Sequence, residues 1–268
     1  MISTRPFLYV VLEYLYMGHR LPTIIGNWKM NKTVAETRSF ISALALSLEN
    51  SHVKLGLAVP FTSLAAAKEA SHGTSMEIGA QSVSEYDDGA YTGEISCEMV
   101  KDAGASFSLI GHSERRRLFF ENDSVVNKKI KKALESELKV VCCIGETLEE
   151  NLAGKAREVL KRQLMIGLQG LTLDQVKWLS IAYEPVWAIG SNQAATPDIA
   201  QERHSFCREC LEQEWGKNLA DLIAILYGGS VNSANAEALL KQSDVDGLLV
   251  GGASLSLDSF SKILLVGV

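Results

Sequence analysis

The sequence predicts a single α/β domain, a (β/α)8 barrel, from three observations. Eight short apolar runs, rich in β-branched residues, end in small or polar residues as buried parallel strands do: TIIGNW, KLGLAVPF, MEIGAQSV, SFSLIGHS, KVVCCIGE, WLSIAYEP, IAILYGGS and VDGLLVGGAS. Helical patterns separate these runs, and several of them begin with Thr, Ser or Asn, the residues that cap helices. Finally, eight strand–helix units in about 250 residues match the number of units and the size of such a barrel.

The alternating pattern also fits a doubly wound open sheet. That fold expects a glycine-rich G-x-G-x-x-G turn after its first strand, and the chain has GNWKMN there. The barrel is therefore the favoured architecture. We expect residues 21–268 to form the barrel, with helices following TVAETRSFISALALSLE, TSLAAAKEAS, SCEMVKDAG, SVVNKKIKKALESE, LAGKAREVLKRQLMIGL, PDIAQERHSFCRECLEQEW and NSANAEALLKQ.

Residues 1–20 are expected to be an N-terminal extension outside the fold. Their apolar stretch PFLYVVLEYLYM is interrupted by Glu13 and is shorter than the ~20 residues that a spanning helix needs. No small-residue cleavage site follows it, which argues against the alternative of a signal peptide. Met17 is the natural alternative start.

Composition limits the classes of function. The chain has 268 residues, 47% hydrophobic and 22% charged, with a net charge of −6. This balance offers no basic field for nucleic acid or an anionic membrane, so we expect neither as a partner. An odd number of cysteines, five, indicates a reducing compartment and hence the cytoplasm. Cys207 and Cys210 form a C-x-x-C, but no second pair completes a zinc site, and we expect them on adjacent turns of a helix.

Polar residues follow the predicted strands at the end where the chemistry of barrels lies. Residues just past the carboxyl end of each barrel strand meet on one face. Here these residues are Asn27, Lys29, Gln81, His112, Glu114, Glu146, Glu184, Ser230, Gly251 and Gly252.

Two glycine-rich turns, YGGSVN and VGGAS, follow the last two strands. Backbone N–H groups in such turns bind phosphate oxygens, and this place in a barrel is a recurrent phosphate site. The alternative is that the glycines serve only tight turns with positive φ. Two such turns in neighbouring loops favour phosphate binding by Ser230, Gly251 and Gly252.

Three ionisable residues are candidates for acid–base chemistry. Lys29, two residues after Asn27 on the first strand, is expected to face the same side and to meet an anion; the alternative is a structural pair with a neighbouring Glu. His112 lies where a helix begins, which favours a neutral imidazole able to polarise a carbonyl; the alternative is a packed core histidine. Glu184 ends the sixth strand as a candidate base.

A lid is expected over Glu184. Pro185, Val186 and Trp187 predict a stiff hinge, and AIGSN a tip in which Gly190 donates to phosphate. Closure would exclude water, protect a reactive intermediate and raise the basicity of the carboxylate.

From Pro22 to its end the chain closely resembles the triosephosphate isomerases. The motifs GNWKMN, GAYTGEIS, GHSERR, CIGETLEE, AYEPVWAIG, YGGSVN and DGLLVGGASL occur in that family's order. The resemblance implies interconversion of dihydroxyacetone phosphate and D-glyceraldehyde 3-phosphate through an enediol(ate), in glycolysis and gluconeogenesis, with no metal and no organic cofactor.

The same resemblance implies the roles of residues. Glu184 would move the proton between C1 and C2, His112 would be the neutral electrophile, and Asn27 and Lys29 would hold the substrate oxygens. Glu114 would support Lys29. The phosphate would be bound by Gly190, Ser230, Gly251 and Gly252.

The resemblance further implies a structural pair between Arg116 and Glu121, and a homodimer through the loop Tyr86 to Glu94. The chain departs from the family at Gln193 to Ala195, where a lysine-containing hinge is usual, and at Phe120, where glycine is common. Two other functions stay open. An aldolase or indole-glycerol-phosphate type of barrel would want a late Schiff-base lysine or a metal ligand set, and a non-catalytic binding or adhesion barrel would have lost Glu184 or His112.

Overall fold

The computed structural model describes residues 22–47, 53–189 and 194–266. Its centre is a closed barrel of eight parallel strands that pair in chain order, with β1 returning to β8. The strands are β1 Thr23–Asn27, β2 Lys54–Val59, β3 Glu77–Ala80, β4 Phe107–Ile110, β5 Lys139–Ile144, β6 Leu179–Tyr183, β7 Ala224–Tyr227 and β8 Gly247–Val250. Each falls within one of the apolar runs, so the predicted (β/α)8 fold class is confirmed. The extension, residues 1–20, lies outside the described residues.

Helices surround the barrel between successive strands. They are α1 Val34–Ser47, α2 Leu64–Ala70, α3 Cys97–Asp102, α4 Ser113–Leu118, α5 Asp123–Glu135, α6 Leu148–Leu152, α7 Ala156–Gly167, α8 Leu173–Val176, α9 Pro197–Trp215, α10 Lys217–Ala220, α11 Ala236–Leu240 and α12 Leu257–Val266. Three 3-10 turns accompany them, at Phe61–Ser63, Val186–Ala188 and Gly252–Leu255. Among the described helices none is long and apolar enough to cross a membrane.

Some helices differ from the sequence expectation. Five of them, α4, α6, α8, α10 and α12, were not among the predicted patterns, although a helix was expected to begin beside His112; α6, α8 and α10 have only four or five residues. The pattern beginning at Leu152 yields a helix only from Ala156, because Gly154 takes φ +71° and ends α6. Helices of four or five residues carry too little periodicity for pattern reading.

Two apolar layers hold the barrel. Its interior is filled by Ile25, Ala58, Phe107, Leu109, Val141, Cys143, Ala182, Leu226 and Leu249. Phe107 occupies space that β3 leaves by having Gly79, since a Cβ there would lie 2.3 Å from the aromatic ring. A larger cluster lies between the sheet and the helices and includes Trp28, Phe40 and Tyr183. Strands buried on both faces are what the continuous apolar runs predicted.

Cys207 and Cys210 lie on α9, as predicted, and are buried free thiols. Burial raises the pKa of both thiols, which makes the nucleophilic thiolate scarce. The C-x-x-C is therefore a packing feature of this helix.

The expected pair between Arg116 and Glu121 is wrong. Arg115 Nε lies 2.6 Å from Glu121 Oε1, whereas Arg116 binds Asp123 Oδ1 at 2.6 Å and the carbonyl oxygen of Gly111 at 2.7 Å. Successive residues on a helix point about 100° apart, so only one of the two arginines can face Glu121. Sequence spacing alone did not resolve which.

Phe120 marks a departure that the structure makes visible. It follows the end of α4 with φ +57°, and 84% of its surface is exposed. The left-handed conformation at this position is the one that glycine favours. The departure at Phe120 thus places a side chain at a position whose backbone conformation favours glycine.

Candidate active site

A cavity of about 430 Å³ opens at the carboxyl end of the barrel strands. Its walls include most of the residues singled out from the sequence: Asn27, Lys29, His112, Glu184, Ser230, Gly251 and Gly252. They come from several strand ends and the loops after them, so the closed barrel is what brings them together. Gly190 and Gln193 lie outside the described residues.

Glu184 and His112 are the closest ionisable pair in this cavity. Glu184 Oε1 lies 2.9 Å from His112 Nε2, and Glu184 Oε2 accepts a hydrogen bond of 2.9 Å from the backbone N–H of Ser113. Both side chains are buried, with 2% and 7% of their surfaces exposed. The carboxylate is thus held by one oxygen at the start of α4, while the other oxygen faces the imidazole.

The hydrogen bond at Nδ1 sets the protonation of His112. Nδ1 accepts the backbone N–H of Glu114 at 3.2 Å, so a single ring proton belongs on Nε2, toward the cavity. A second proton would have to displace this bond. The accepted hydrogen bond and the helix dipole favour a neutral imidazole, whereas the Glu184 carboxylate beside Nε2 favours the protonated form and raises the net pKa of His112.

Burial destabilises the charged forms of Glu184 and His112, whereas the proximity of the two groups stabilises these charged forms. Burial lowers the pKa of the His112 imidazole, but the Glu184 carboxylate raises it, with a net direction above the usual value. Burial raises the pKa of Glu184, whereas His112, the Ser113 amide and Lys29 together bring it below its usual value. Without substrate, then, the neighbours of Glu184 outweigh desolvation, and the carboxylate is ionised at neutral pH.

Lys29 reaches the cavity from a loop, not from the strand. β1 ends at Asn27, and Lys29 takes φ +52°, so the strand alternation used to place it does not apply. Its backbone N–H donates to Asn27 Oδ1 at 3.1 Å, and its Nζ lies 2.6 Å from Glu114 Oε1. Gln81 fixes the loop by donating to the Lys29 carbonyl at 2.9 Å.

The pair with Glu114 does not remove Lys29 from the cavity. The lysine keeps 29% of its side-chain surface exposed, and it lines the cavity together with His112. Both interpretations of Lys29 therefore agree with the geometry. Glu114 pairs with the ammonium, and the ammonium still faces the cavity.

The glycine turn after β8 leaves room where a ligand would lie, whereas the turn after β7 is closely packed: a Cβ on Gly228 would lie 3.0 Å from the Glu184 side chain, and one on Gly229 would lie 2.2 Å from the Tyr227 hydroxyl. Gly228, Gly229, Gly251 and Gly252 all have φ outside the left-handed region, so the tight-turn alternative does not explain them. A Cβ on Gly252 would meet nothing within 4 Å, and one on Gly251 would lie 3.7 Å from the Lys29 side chain. Backbone bare of side chains on the wall of a cavity is suited to an approaching anion.

The two described ends of the predicted lid are anchored to the barrel. Trp187 Nε1 and the Tyr183 hydroxyl both donate to Glu146 Oε1, at 2.9 and 3.1 Å. At the other end, the backbone N–H of Ala195 donates to the Tyr227 hydroxyl at 3.1 Å. Glu146 therefore belongs to the support of the lid and not to the cavity wall.

Sequence reading missed several contributors to the site, among them the Ser113 amide, Ile189 and Leu249. The Ser113 amide, which holds Glu184, could have been found because the first N–H groups of a helix lack intrahelical partners. Ile189 and Leu249 supply apolar cavity wall. Nothing in an apolar strand run distinguishes Leu249 from its neighbours, so that signal does not exist in one sequence.

Barrel and site together are those of an enzyme class whose cavity holds a carboxylate, an imidazole and an ammonium, groups suited to acid–base chemistry. In the described part of the chain no group of three or more His, Cys, Asp and Glu residues could hold a metal ion. The chain belongs to the triosephosphate isomerase family, whose model matches residues 22–266.

Relatives of that name are similar over nearly their whole length. The triosephosphate isomerase of Protochlamydia amoebophila is 50% identical over 92% of this chain and 94% of its own. That of Chlamydia trachomatis is 46% identical over 90% of this chain and 88% of its own. The crystal structure of triosephosphate isomerase from Bartonella henselae superposes with a TM-score of 0.83 at 39% identity, covering 91% of this chain and 98% of that one. The chain is thus an isomerase of the glycolytic family.

Proposed function

We propose that this protein interconverts dihydroxyacetone phosphate and D-glyceraldehyde 3-phosphate by proton transfer through an enediol(ate), in glycolysis and gluconeogenesis, with no metal or organic cofactor. The observation that carries the proposal is the 2.9 Å approach of Glu184 Oε1 to His112 Nε2 in one cavity with Lys29. A carboxylate and an N–H donor that converge on one point can remove a proton from carbon and polarise the adjoining carbonyl.

Glu184 is the base. Its ionised Oε1 removes the proton from C1 of the ketose while the electron pair of that bond moves toward the carbonyl oxygen on C2. The proton of the C1 hydroxyl passes to the C2 oxygen by way of His112 Nε2, and return of the carbon proton to C2 then gives the aldose, with its carbonyl at C1, and regenerates the carboxylate. The substrate must enter between Glu184 and His112, so the carboxylate exchanges its contact with the imidazole for one with carbon.

His112 and Lys29 stabilise the oxygen charge that develops. Nε2–H of a neutral imidazole donates to the carbonyl oxygens, a match to the enediolate of which the triosephosphate isomerases are themselves the known example. Lys29 adds a fixed positive charge, Glu114 orients it, and Asn27 holds the loop from which it projects and contacts the substrate. Independent support for the role of His112 is the hydrogen bond that Nδ1 accepts from the Glu114 amide, because it directs Nε2–H to the cavity.

The phosphate end binds at the glycine turns. Ser230, Gly251 and Gly252 offer backbone N–H groups on the cavity wall formed by the loops after β7 and β8, and Gly190 adds one when the lid closes. Lid closure over Glu184 excludes water, so that the enediolate is protonated on carbon and does not lose phosphate. Gln193 to Ala195, a departure from the family's usual hinge, would set the rate of closure.

The protein is proposed to be a cytoplasmic homodimer through the loop Tyr86 to Glu94. This loop is largely exposed, its Tyr86 and Tyr91 rings stack at 3.9 Å, and Asp87 is tied to Lys132 at 2.9 Å. An ordered, exposed loop with aromatic residues is suited to insertion into a second copy. Sedimentation should give twice the chain mass of 29.2 kDa. Sedimentation of a monomer at micromolar concentration would refute the dimer.

The decisive test is a coupled assay of glyceraldehyde 3-phosphate turnover, with and without EDTA. Wild type should turn over rapidly and insensitively to EDTA, and Glu184→Gln should lose about 10³-fold or more in kcat because the base is gone. Glu158→Gln, on the exposed face of α7, is the matched control and should behave as wild type.

Each alternative has its own outcome in this assay. Folded wild type without turnover would favour a non-catalytic binding barrel. Turnover abolished by EDTA would favour a metal-dependent barrel enzyme, and undiminished turnover by Glu184→Gln would exclude Glu184 as the base.

Residues 1–20 are proposed to lie outside the barrel domain, 21–268. A variant that begins at residue 21 should therefore fold and keep its kcat and KM within about twofold, because the family match begins only at residue 22. An insoluble or inactive truncated protein would show that the extension belongs to the domain.

A further inference from the structure

Lys32 lies in the loop between β1 and α1 in an unusual setting for a lysine. Its Nζ is 4.3 Å from the ring centroid of Phe40 and 5.3 Å from that of Trp28. It also donates a hydrogen bond of 3.1 Å to the carbonyl oxygen of Leu255. The neighbouring carboxylate of Glu36 is engaged by Thr33, whose N–H and hydroxyl it accepts at 2.7 and 2.8 Å.

The two aromatic rings hold the Lys32 ammonium in one position. Trp28 and Phe40 are buried and meet edge to face, with centroids 5.2 Å apart and planes at 82°. An ammonium over aromatic faces is held by the ring quadrupoles, and more strongly where water is partly excluded. Lys32 itself takes φ +71°, so the backbone turns sharply to direct this side chain inward.

The hydrogen bond of Lys32 connects two separate walls of the cavity. Trp28 precedes Lys29 in the loop that supplies the active-site ammonium. Leu255 is the last residue of the 3-10 turn Gly252–Leu255, which follows directly on Gly251. Both Trp28 and Leu255 line the cavity, so Lys32 links the loop after β1 to the turn after β8.

The turn that Lys32 holds is a stiff unit. Ser254 is fully buried, and both its backbone N–H and its hydroxyl donate to the Gly251 carbonyl, at 2.9 and 2.7 Å. A shift at Leu255 is therefore transmitted to Gly251 and Gly252, whose side-chain-free backbone faces the cavity.

We propose that Lys32 is a positioning residue for the phosphate group: it fixes the turn after β8 against the loop after β1, so that the Gly251 and Gly252 amides keep their place relative to Lys29. The inference rests on the proposed function, because it takes the phosphate to bind at this turn. Glu184 and His112 are attached to other strands, β6 and β4, and do not depend on the link.

The consequence is a separation of binding from chemistry. A variant without the ammonium should bind inorganic phosphate about tenfold more weakly, as expected for loss of one hydrogen bond from a charged donor. KM should rise by a similar factor, while kcat changes by less than about threefold.

The test compares Lys32→Met, Lys32→Arg and Lys54→Met with wild type. Methionine keeps the length and apolar character of the side chain but removes the charge, and arginine restores a cation that can lie over aromatic rings and reach a carbonyl. Lys54, exposed at the opposite end of the barrel, is the matched control. Titration calorimetry with inorganic phosphate gives affinity without turnover, and the coupled assay gives KM and kcat.

The expected result is weakened phosphate binding and raised KM in Lys32→Met, recovery within about twofold in Lys32→Arg, and no change in Lys54→Met. Should Lys32→Met fail to fold by circular dichroism, Lys32→Gln takes its place in the same comparison. Wild-type phosphate affinity in a folded, uncharged Lys32 variant would overturn the inference, as would a loss in kcat alone. If wild type bound phosphate but did not isomerise, the proposed function would fail and the positioning role would still be read from calorimetry.

Discussion

Each end of the barrel buries a carboxylate, and the two carboxylates differ in their hydrogen-bond and charge partners. Glu184 follows β6 at the carboxyl end, and Asp246 precedes β8 at the amino end. Asp246 Oδ2 accepts hydrogen bonds from Arg208 Nη2 at 2.5 Å and from the backbone N–H of Ile225 at 2.7 Å. The side chains of Arg208 and Asp246 keep only 8% and 6% of their surfaces exposed.

Glu184 has an imidazole and one backbone amide where Asp246 has a guanidinium and an amide. Its Oε1 makes no hydrogen bond of regular geometry to any residue in the described chain, although His112 Nε2 is 2.9 Å away. A carboxylate bound to a guanidinium is committed to the fold, whereas one with an incompletely used oxygen is available for a proton. The difference between the two ends is thus a difference in how completely the buried charge is compensated.

The largest expected effect follows from replacing the buried carboxylate at the amino end of the barrel. Asp246→Asn leaves Arg208 buried without its main counter-charge, and we expect a loss of about 3–5 kcal/mol in the free energy of unfolding. In the folded protein kcat should stay within about twofold, because β8 contributes its other end to the site. Urea unfolding and the coupled assay measure the two effects.

Asp258→Asn provides the comparison for that measurement. Asp258 pairs with Lys262 at 2.7 Å on an exposed face of α12, and removing such a pair costs about 0.5 kcal/mol or less. Equal losses in the two variants would mean that burial does not distinguish them.

The next effect concerns the carboxyl end. Glu184→Asp withdraws the base from carbon by the length of one methylene, and kcat should fall by about 10²-fold, as a displacement of ~1 Å implies. The free energy of unfolding should change by no more than about 1 kcal/mol. Glu158→Asp, exposed on α7, is the control in both measurements. Turnover equal to that of wild type would remove Glu184 from the role of base.

His204 adds a third buried ionisable group to the comparison, one that the fold keeps neutral. Burial lowers the pKa of its imidazole to about 4, and Nδ1 lies 3.1 Å from the Asp244 carbonyl oxygen. As pH falls, the unfolded chain takes up this proton near its ordinary pKa of about 6.5 and the folded chain only near pH 4. Stability from His204 is therefore fully present above about pH 6.5 and is lost progressively toward pH 4.

Between about pH 6.5 and about pH 5 wild type should lose about 1.5 kcal/mol more than His204→Gln in the free energy of unfolding. The exposed His72 serves as control, and His72→Gln should follow wild type. Parallel curves for wild type and His204→Gln would show that His204 is protonated in the folded state as easily as in the unfolded one.

The smallest effect is a gain. Phe120→Gly should stabilise the folded chain by about 1 kcal/mol, because glycine adopts positive φ without the strain that a side chain causes there. Its neighbour Phe119, with 62% of its surface exposed and φ −116°, is a matched control in which glycine should destabilise. Thermal unfolding of the two variants gives opposite shifts in Tm if backbone conformation decides, and equal shifts if loss of the exposed ring does.

The sequence was sufficient for the barrel and for most of the polar residues of the cavity. Apolar runs ending in polar residues fix the strands, and strand direction in a barrel sends all their carboxyl ends to one face, so Asn27, His112 and Glu184 could be grouped without coordinates. The long helices α1, α5 and α9 followed from their periodicity. The short helices and the partner of Glu121 did not, because a few residues or one turn of a helix carry too little pattern.

What the sequence by itself determined is therefore which groups share the carboxyl face. Only the tertiary structure decided how they are held: that the Ser113 amide binds Glu184, that the Glu114 amide occupies Nδ1 of His112, and that Lys29 reaches the cavity from a loop with positive φ. The physical reason is the separation along the chain over which each kind of interaction acts. Strand and helix patterns arise from neighbours along the chain, whereas hydrogen bonds between strand ends depend on distances of about 3 Å that are set by the packing of the whole barrel.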